Sequence, residues 1–129
     1  MRRSLTLLFI LLILLNIMGC MGARQMRHVG CYVADVNLQG IYHGQCNADN
    51  IAEGQGKAIG EDTYDGQFKA GLPSGQGIYI WRNGDRYIGL FQRGMASGRG
   101  VMLLMEKNCR IEGMWNNNQL MNKILNTCN

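Results

Sequence analysis

The strongest constraint on the fold of this chain is a pattern of glycines and aromatic residues that occurs twice in succession. Residues 63–85 read TYDGQFKAGLPSGQGIYIWRNGD, and residues 86–108 read RYIGLFQRGMASGRGVMLLMEKN. The glycines recur after twenty-three positions: Gly71, Gly75 and Gly77, then Gly94, Gly98 and Gly100. A period in the twenties is typical of arrays in which each unit buries its apolar face against its neighbours.

Each unit is predicted to be a β-hairpin. In a strand, residues two apart share a face, so Tyr64, Gly66 and Phe68 point to the same side and Gly66 leaves a gap between two rings. Gly71 falls where a turn requires positive φ, and Pro73-Ser74 is assigned to the same loop. The sequence therefore predicts an all-β fold, a single antiparallel meander of hairpins.

The second half of each unit completes the hairpin and connects it to the next. Residues 75–81 follow the turn and are rich in strand-forming side chains, with Ile78, Tyr79 and Ile80 in succession. Asn83-Gly84-Asp85 then closes the unit with residues that favour tight turns.

The combination of Y-x-G-x-[FW], a turn glycine and G-x-G resembles the MORN repeat (membrane occupation and recognition nexus). The resemblance covers units at about 41–62, 63–85 and 86–109 and a partial unit at 110–120, about three full or partial repeats. Residues 30–34 are interpreted as the second strand of a half-unit ahead of the array. The resemblance implies a non-catalytic scaffold or a membrane-adjacent binding role. The predicted repeat core comprises Tyr42, Gly44, Tyr64, Gly66, Phe68, Gly75, Gly77, Tyr87, Gly89, Phe91, Gly98, Gly100, Gly113 and Trp115.

The first twenty residues, MRRSLTLLFILLILLNIMGC, have the order of a secretory signal: two arginines, a short apolar run and small residues. Ile17-Met18-Gly19-Cys20 resembles a bacterial lipobox, although Met18 stands where a small residue is usual. The sequence predicts a signal helix and signal peptide over 1–19, cleavage before Cys20, lipidation of Cys20, a tether over 20–29 and a β domain over 30–129. The alternatives are secretion after cleavage near Ala23 and an uncleaved anchor.

Lipidation of Cys20 leaves four cysteines that can pair completely. Cys46 takes the position that Phe68 holds in the next unit, so we expect it to face inward and to pair with Cys31. Cys109 is expected to pair with Cys128 and so to hold an otherwise loose tail, residues 121–129. Four cysteines allow three connectivities, and the sequence does not exclude the other two.

Several classes of function are disfavoured by the residues. Thirteen Lys and Arg against nine Asp and Glu are scattered, whereas nucleic acid binding needs a dense basic face. Residues 54–60 contain neither a phosphate loop nor a dinucleotide fingerprint. His28 and His43 are isolated, Ser74 and Ser97 occupy equivalent repeat loops, and the cysteines lack metal-site spacing. The sequence therefore predicts no catalytic residue, metal, nucleotide or other cofactor. A deep pocket lined by His43 or by the acidic residues would indicate a catalytic site instead.

The predicted function is that of an exported lipoprotein, anchored to the cell membrane or the outer membrane through Cys20, which acts as a protein-interaction or scaffold module in the cell envelope. The alternatives are an accessory or inhibitor factor for an envelope enzyme, a phospholipid-binding module, and a secreted or periplasmic form. The aromatic residues are interpreted as a ring stack that holds the sheet together, and the alternative is an exposed binding strip formed by Tyr64, Phe68, Tyr79, Trp81, Tyr87, Phe91 and Trp115. The late methionines are the predicted contact surface: Met95, Met102, Met105, Met114 and Met121.

Overall fold

The computed structural model describes residues 30–128, which form one open antiparallel sheet of eight strands in chain order. A short 3-10 helix, Val36–Leu38, precedes the sheet. The strands are β1 (Ile41–Cys46), β2 (Ala52–Ile59), β3 (Thr63–Lys69), β4 (Leu72–Ile80), β5 (Arg86–Gln92), β6 (Met95–Leu104), β7 (Cys109–Asn116) and β8 (Gln119–Cys128). The predicted all-β meander is confirmed. The predicted signal helix, Cys20 and the tether lie outside the described residues.

A row of seven glycines crosses the sheet and explains the sequence pattern. Each glycine is the direct cross-strand partner of the next: Gly44, Gly56, Gly66, Gly77, Gly89, Gly100 and Gly113. A Cβ atom on Gly77 would overlap the ring of Tyr64, and one on Gly100 would overlap the ring of Tyr87. The row is therefore a trough in the sheet, in which the tyrosine rings lie against bare backbone.

The rings on this side of the sheet, the ring face, form a continuous edge-to-face ladder. Tyr64 packs against Phe68 of its own unit, with ring centroids 5.0 Å apart, and against Phe91 of the next unit at 5.1 Å. The other T-shaped pairs are Tyr42 with Phe68, Tyr87 with Phe91, and Tyr87 with Trp115. Edge-to-face pairs add stability beyond the area that they bury. The ring stack expected from the sequence is thus the core of the protein.

In the first three hairpins, the hydroxyl of the first tyrosine also donates to a carbonyl at a β-bulge. The register between β3 and β4 shifts between Gly66 and Phe68, which leaves Gln67 without a regular partner on β4. The Tyr64 hydroxyl donates to the Gln67 carbonyl over 3.0 Å, and the Tyr87 hydroxyl donates to the Leu90 carbonyl at the equivalent bulge over 3.3 Å. Burial raises the pKa of Tyr87 to about 12, so its phenol stays protonated and keeps donating at neutral pH.

Three of the hairpins close through two-residue turns. Both residues of each turn have positive φ: Ala70 and Gly71 (51° and 79°), Arg93 and Gly94 (52° and 79°), and Asn117 and Asn118 (48° and 65°). Two successive positive φ values give the turn type that matches strand twist. The positive φ predicted for Gly71 is confirmed.

The placement of Pro73-Ser74 in a loop is wrong. Since the turn is complete at Gly71, β4 begins at Leu72 and includes both residues, and Ser97 lies in β6 for the same reason. Pro73 is tolerated because it pairs with Phe68 beside the bulge, where the regular ladder is already interrupted.

The segment before the sheet crosses the ring face instead of extending the array. Residues 30–34 form no strand; Tyr32 makes one isolated parallel bridge to Ile51, so the predicted half-unit is wrong. The Ala34 N–H donates to the Gly71 carbonyl over 2.8 Å, and the Asp62 N–H donates to the Asn37 carbonyl over 2.9 Å. The segment therefore crosses the ring face from the turn that contains Gly71 to the connection that contains Asp62. It buries its own Val33 and Leu38.

The far end of the sheet differs from the expected loose tail. The repeat pattern stops near Trp115, yet β8 pairs along β7 from Gln119 to Cys128. All ten residues of β8 are exposed. The sequence signal was weak because β8 carries none of the glycines of the repeat, and the Asn117-Asn118 turn needs no glycine to reach positive φ.

Candidate functional site

The ring face is covered over its first half and open over its second. The crossing segment ends near Asn37, and beyond it lies a cavity of about 450 Å³, here named the aromatic cavity. Its lining residues are Asp35, Asn37, Tyr79, Trp81, Phe91, Gly94, Ala96, Met102, Trp115 and Asn118. Four of these side chains are aromatic and three are polar, namely Asp35, Asn37 and Asn118, and apolar side chains with a few convergent polar groups are common in ligand sites.

Two of the rings form a corner of the aromatic cavity. The Tyr79 and Trp81 centroids are 4.9 Å apart with an interplanar angle of 46°. Trp81 keeps part of its surface exposed, while Trp115 is held by its indole N–H, which donates to the Gly100 carbonyl over 3.1 Å. At the hairpin tips, Asn118 Oδ1 accepts from the Ala96 N–H over 2.7 Å. The walls are thus fixed by hydrogen bonds to backbone.

A buried carboxylate lies behind the corner. Asp62 is 7 % exposed and accepts from the Tyr79 hydroxyl and from the Arg82 N–H, each over 2.8 Å. Burial, followed by the hydrogen bond to Asp62, raises the pKa of Tyr79 far above its ordinary value. The Tyr79 phenol is therefore neutral, and its hydroxyl donates to the Asp62 side chain.

The second carboxylate, Asp35, belongs to the lining itself. Its Oδ1 accepts from the Asn37 N–H over 3.0 Å and so caps the short 3-10 helix. Burial raises the pKa of Asp35, and the nearby charge of Asp62 acts in the same direction. Two acidic groups thus lie in or close to one cavity that is lined by aromatic rings.

The face opposite the rings carries an exposed apolar row, here named the apolar strip: Ile78, Ile88, Leu90 and Val101. Ile78, Ile88 and Val101 are direct cross-strand partners on β4, β5 and β6. Ile78 and Ile88 are 40 % and 41 % exposed, respectively. The row continues into Asp65 at one end, which pairs with Lys57, and into Glu112 at the other, which pairs with Arg99 and Arg110, so both ends of the strip carry ion pairs.

The four predicted disulfide cysteines are joined as Cys31–Cys46 and Cys109–Cys128. Cys46 is exposed and not buried as its expected inward position implied, although its sulfur is joined to Cys31 in the core. The physical reason is that β1 is the first strand of the sheet, so no earlier unit covers the position that a ring fills in later units.

The remaining sequence candidates do not converge on a common site. His43 is exposed and lies opposite the ring face, and it does not line the aromatic cavity. The late methionines are dispersed, since Met102 lines the cavity, Met114 lies on the opposite face and Met105 is in a turn. Among residues 30–128, no group of three or more His, Cys, Asp or Glu could hold a metal ion. In that same range, no helix is long and apolar enough to cross a membrane.

An open sheet of glycine-spaced hairpins with a ring ladder defines a β-repeat protein. The MORN repeat family model matches residues 64–86 and 87–104, which span β3 to β6. This match supports the MORN-repeat family for the chain, and MORN repeats are generally non-catalytic modules that bind proteins or phospholipids. No curated protein matches the chain.

Sequence reasoning missed the acidic half of the cavity. Asp35 and Asn37 precede the repeats, and Asp62 occupies the connection between β2 and β3. Their proximity to Tyr79 depends on the crossing segment, whose hydrogen bonds to Gly71 and Asp62 join distant parts of the sequence. The sequence contains one signal of this cavity: Trp81 departs from the repeat, because the next unit has Leu104 at the equivalent position.

Proposed function

We propose that this protein is an exported, acyl-anchored, non-catalytic interaction module that binds a protein partner in the cell envelope through the apolar strip. The observation that carries the proposal is the direct pairing of Ile78, Ile88 and Val101 on a sheet face that nothing else covers within the described residues. Contiguous exposed apolar side chains with a polar border are typical of protein-binding surfaces.

The distribution of charge favours a protein over an anionic bilayer as the occupant of the strip. Four of the thirteen basic residues are Arg2, Arg3, Arg24 and Arg27, and residues 1–29 contain no acidic residue. The nine basic residues that remain balance the nine acidic ones. Attraction to anionic lipid needs a cluster of basic residues, and the basic side chains at the ends of the strip, Lys57, Arg99 and Arg110, are ion-paired with Asp65 and Glu112. The phospholipid-binding alternative therefore has less support than protein binding.

The anchor in this proposal is Cys20, after removal of residues 1–19. Residues 20–29 would then link the acylated cysteine to the sheet, with a reach of about 30 Å when extended. A single acyl chain gives marginal attachment, whereas several chains hold a protein on a membrane. The sheet would need no lipid affinity of its own for localisation.

A photo-crosslinking amino acid placed at Ile88 tests the contact surface in cells. We expect an adduct of one discrete mass that contains a single partner in stoichiometric amount. The matched control places the same amino acid at Gln55, which is exposed on the same face of β2 outside the strip. Adducts of equal yield at both positions, or none at Ile88, would contradict the proposed surface. An envelope enzyme as the partner would favour the accessory or inhibitor role over a scaffold.

Fatty-acid labelling tests the anchor separately. Cells given a radiolabelled fatty acid should label the wild-type chain and not the Cys20→Ala chain, and the wild-type protein should be recovered with membranes. Unlabelled wild-type protein in the medium or periplasm would instead support the secreted form. Recovery with membranes that Cys20→Ala leaves unchanged would support an uncleaved anchor.

A further inference from the structure

The aromatic cavity combines ring faces with uncompensated negative charge. Its lining contains the Asp35 carboxylate and no Lys or Arg side chain. Arg82 is close by, but its guanidinium pairs with Glu61 at 2.8 Å and does not line this cavity. The charge of the lining is therefore complementary to a cation.

The aromatic corner is suited to a cation as well. A cation over a ring face is attracted by the negative face of the π-system, most strongly with Trp and then Tyr. The Tyr79 hydroxyl donates to the Asp62 carboxylate, and a donor bonded to an anion is polarised towards higher electron density on its ring. Trp81, which is partly exposed, thus supplies the more accessible electron-rich ring, and Tyr79, which is 5 % exposed, lines the cavity beside it with the two centroids 4.9 Å apart.

We propose that the aromatic cavity is a binding site for an alkylated ammonium ion of the choline type, with Trp81 and Tyr79 contacting the methyl groups and Asp35 as the counter-ion. This inference is independent of the proposed function, because the cavity and the apolar strip lie on opposite faces of the sheet.

The lining favours a quaternary ammonium over other cations. A primary ammonium carries three donors, is strongly hydrated and would need an acceptor for each N–H. Apart from the Asp35 carboxylate, the side-chain carbonyl acceptors of the lining are Asn37 Oδ1 and Asn118 Oδ1, and Asn118 Oδ1 already accepts from the Ala96 N–H. A quaternary ammonium has no N–H group to satisfy, so apolar walls can surround it without leaving a donor unpaired.

Tryptophan fluorescence reports directly on this site, because the chain has two tryptophans and both line the cavity. The full chain, purified in a non-ionic detergent, is titrated with choline chloride at constant ionic strength. The matched probe is 3,3-dimethyl-1-butanol, which has the shape of choline without its charge. We expect a saturable change with choline, with a Kd on the order of 1 mM, and binding of the neutral probe at least about tenfold weaker.

Asp35→Asn tests the counter-ion without removing the cap, because asparagine is as good a capping residue as aspartate. We expect choline to bind at least about tenfold more weakly to this variant, since a partly buried charge pair is lost. The control is Asp65→Asn, which removes a carboxylate on the opposite face. Trp81→Leu should abolish the choline response of the remaining Trp115, while circular dichroism confirms that each variant is folded.

Three results would overturn the proposal. They are equal affinity for choline and its neutral analogue, unchanged choline affinity in Asp35→Asn, and no saturable response up to about 100 mM choline, a hundredfold excess over the expected Kd. Glycerophosphocholine in place of choline identifies the source of the cation. Affinity equal to that of choline assigns a lipid headgroup, and weaker affinity, from repulsion between its phosphate and Asp35, assigns a free solute; both results support the site.

Discussion

Replacement of Gly77 by alanine should show how much of the stability depends on clearance for a ring. The three atoms nearest to an added Cβ at Gly77 all belong to the side chain of Tyr64. Tyr64 is fully buried and is held between Phe68, Phe91 and Tyr79, so its ring has no free space into which to move. The backbone of Gly77 has negative φ, so the effect of the substitution is steric and not conformational.

The size of the effect follows from overpacking of a tight core. Overpacking costs about 1–3 kcal/mol, and we expect Gly77→Ala near the upper end because it meets a ring with no alternative position. Removal of the ring in Tyr64→Leu costs about 2–3 kcal/mol by loss of packing. In the double variant the added methyl group no longer meets the ring, so the two effects should fall short of additivity by about 2 kcal/mol.

The assay is urea or thermal unfolding with the disulfides intact. A loss of about 2 kcal/mol in the free energy of unfolding corresponds to a fall in Tm of roughly 8–16 °C for a domain of about 100 residues. Gly113→Ala is the matched control, because the three atoms nearest to its added Cβ belong to Asn122 and Leu120 and none belongs to Tyr64. That clash should persist when Tyr64 is replaced. The reasoning is refuted if Gly77→Ala costs less than about 0.5 kcal/mol, or if Tyr64→Leu relieves both alanine variants equally.

Three further predictions concern the far edge, the tyrosines and the turns. Reduction of Cys109–Cys128, whose partners are 19 residues apart, should lower the free energy of unfolding by about 3 kcal/mol and speed amide exchange in β8 before β3, as measured by mass spectrometry. Burial raises the pKa of Tyr87 to about 12 and the pKa values of Tyr64 and Tyr79 further, so the stability that these protonated phenols contribute is complete below about pH 10 and falls as pH rises above it. The urea midpoint should therefore be lower at about pH 11.5 than at about pH 9, and Tyr87→Phe should reduce that difference. Ala70→Gly should raise Tm, because Ala70 has a φ of 51° on an exposed turn and glycine adopts positive φ without strain. A fall in Tm would contradict this prediction.

The repeat was predictable because it is local. A residue spacing of two places Tyr64, Gly66 and Phe68 on one face whatever the rest of the chain does, and the structure keeps them there. Strand order followed from the same pattern, since short turns join only neighbouring antiparallel strands. The position of Pro73 was mistaken because proline and serine suggested a loop, while a two-residue turn with Ala70 at positive φ had already closed the hairpin.

The cavity was not predictable because it depends on contacts between distant residues. Asp35 reaches the rings only through a segment whose backbone bonds to Gly71 and Asp62 fix its path. No periodicity in the sequence indicates that path, since the segment has neither a strand partner along its length nor a long helix. Cys46 shows the same limit, because its exposure follows from the absence of a preceding strand in the sheet and not from its own unit.

A repeat array can be selective only where its units differ. On the ring face, the glycine row and the first ring of each hairpin are constrained by clearance, so these positions cannot vary with the ligand. The cross-strand partner of that first ring is free to change: it is Ala58 in the first hairpin, Tyr79 in the second and Met102 in the third. Two positions further along, Trp81 is replaced by Leu104 in the next unit. The middle hairpin alone thus places two rings side by side, next to the point where the crossing segment brings in Asp35, and that coincidence is the physical reason to look for a ligand there.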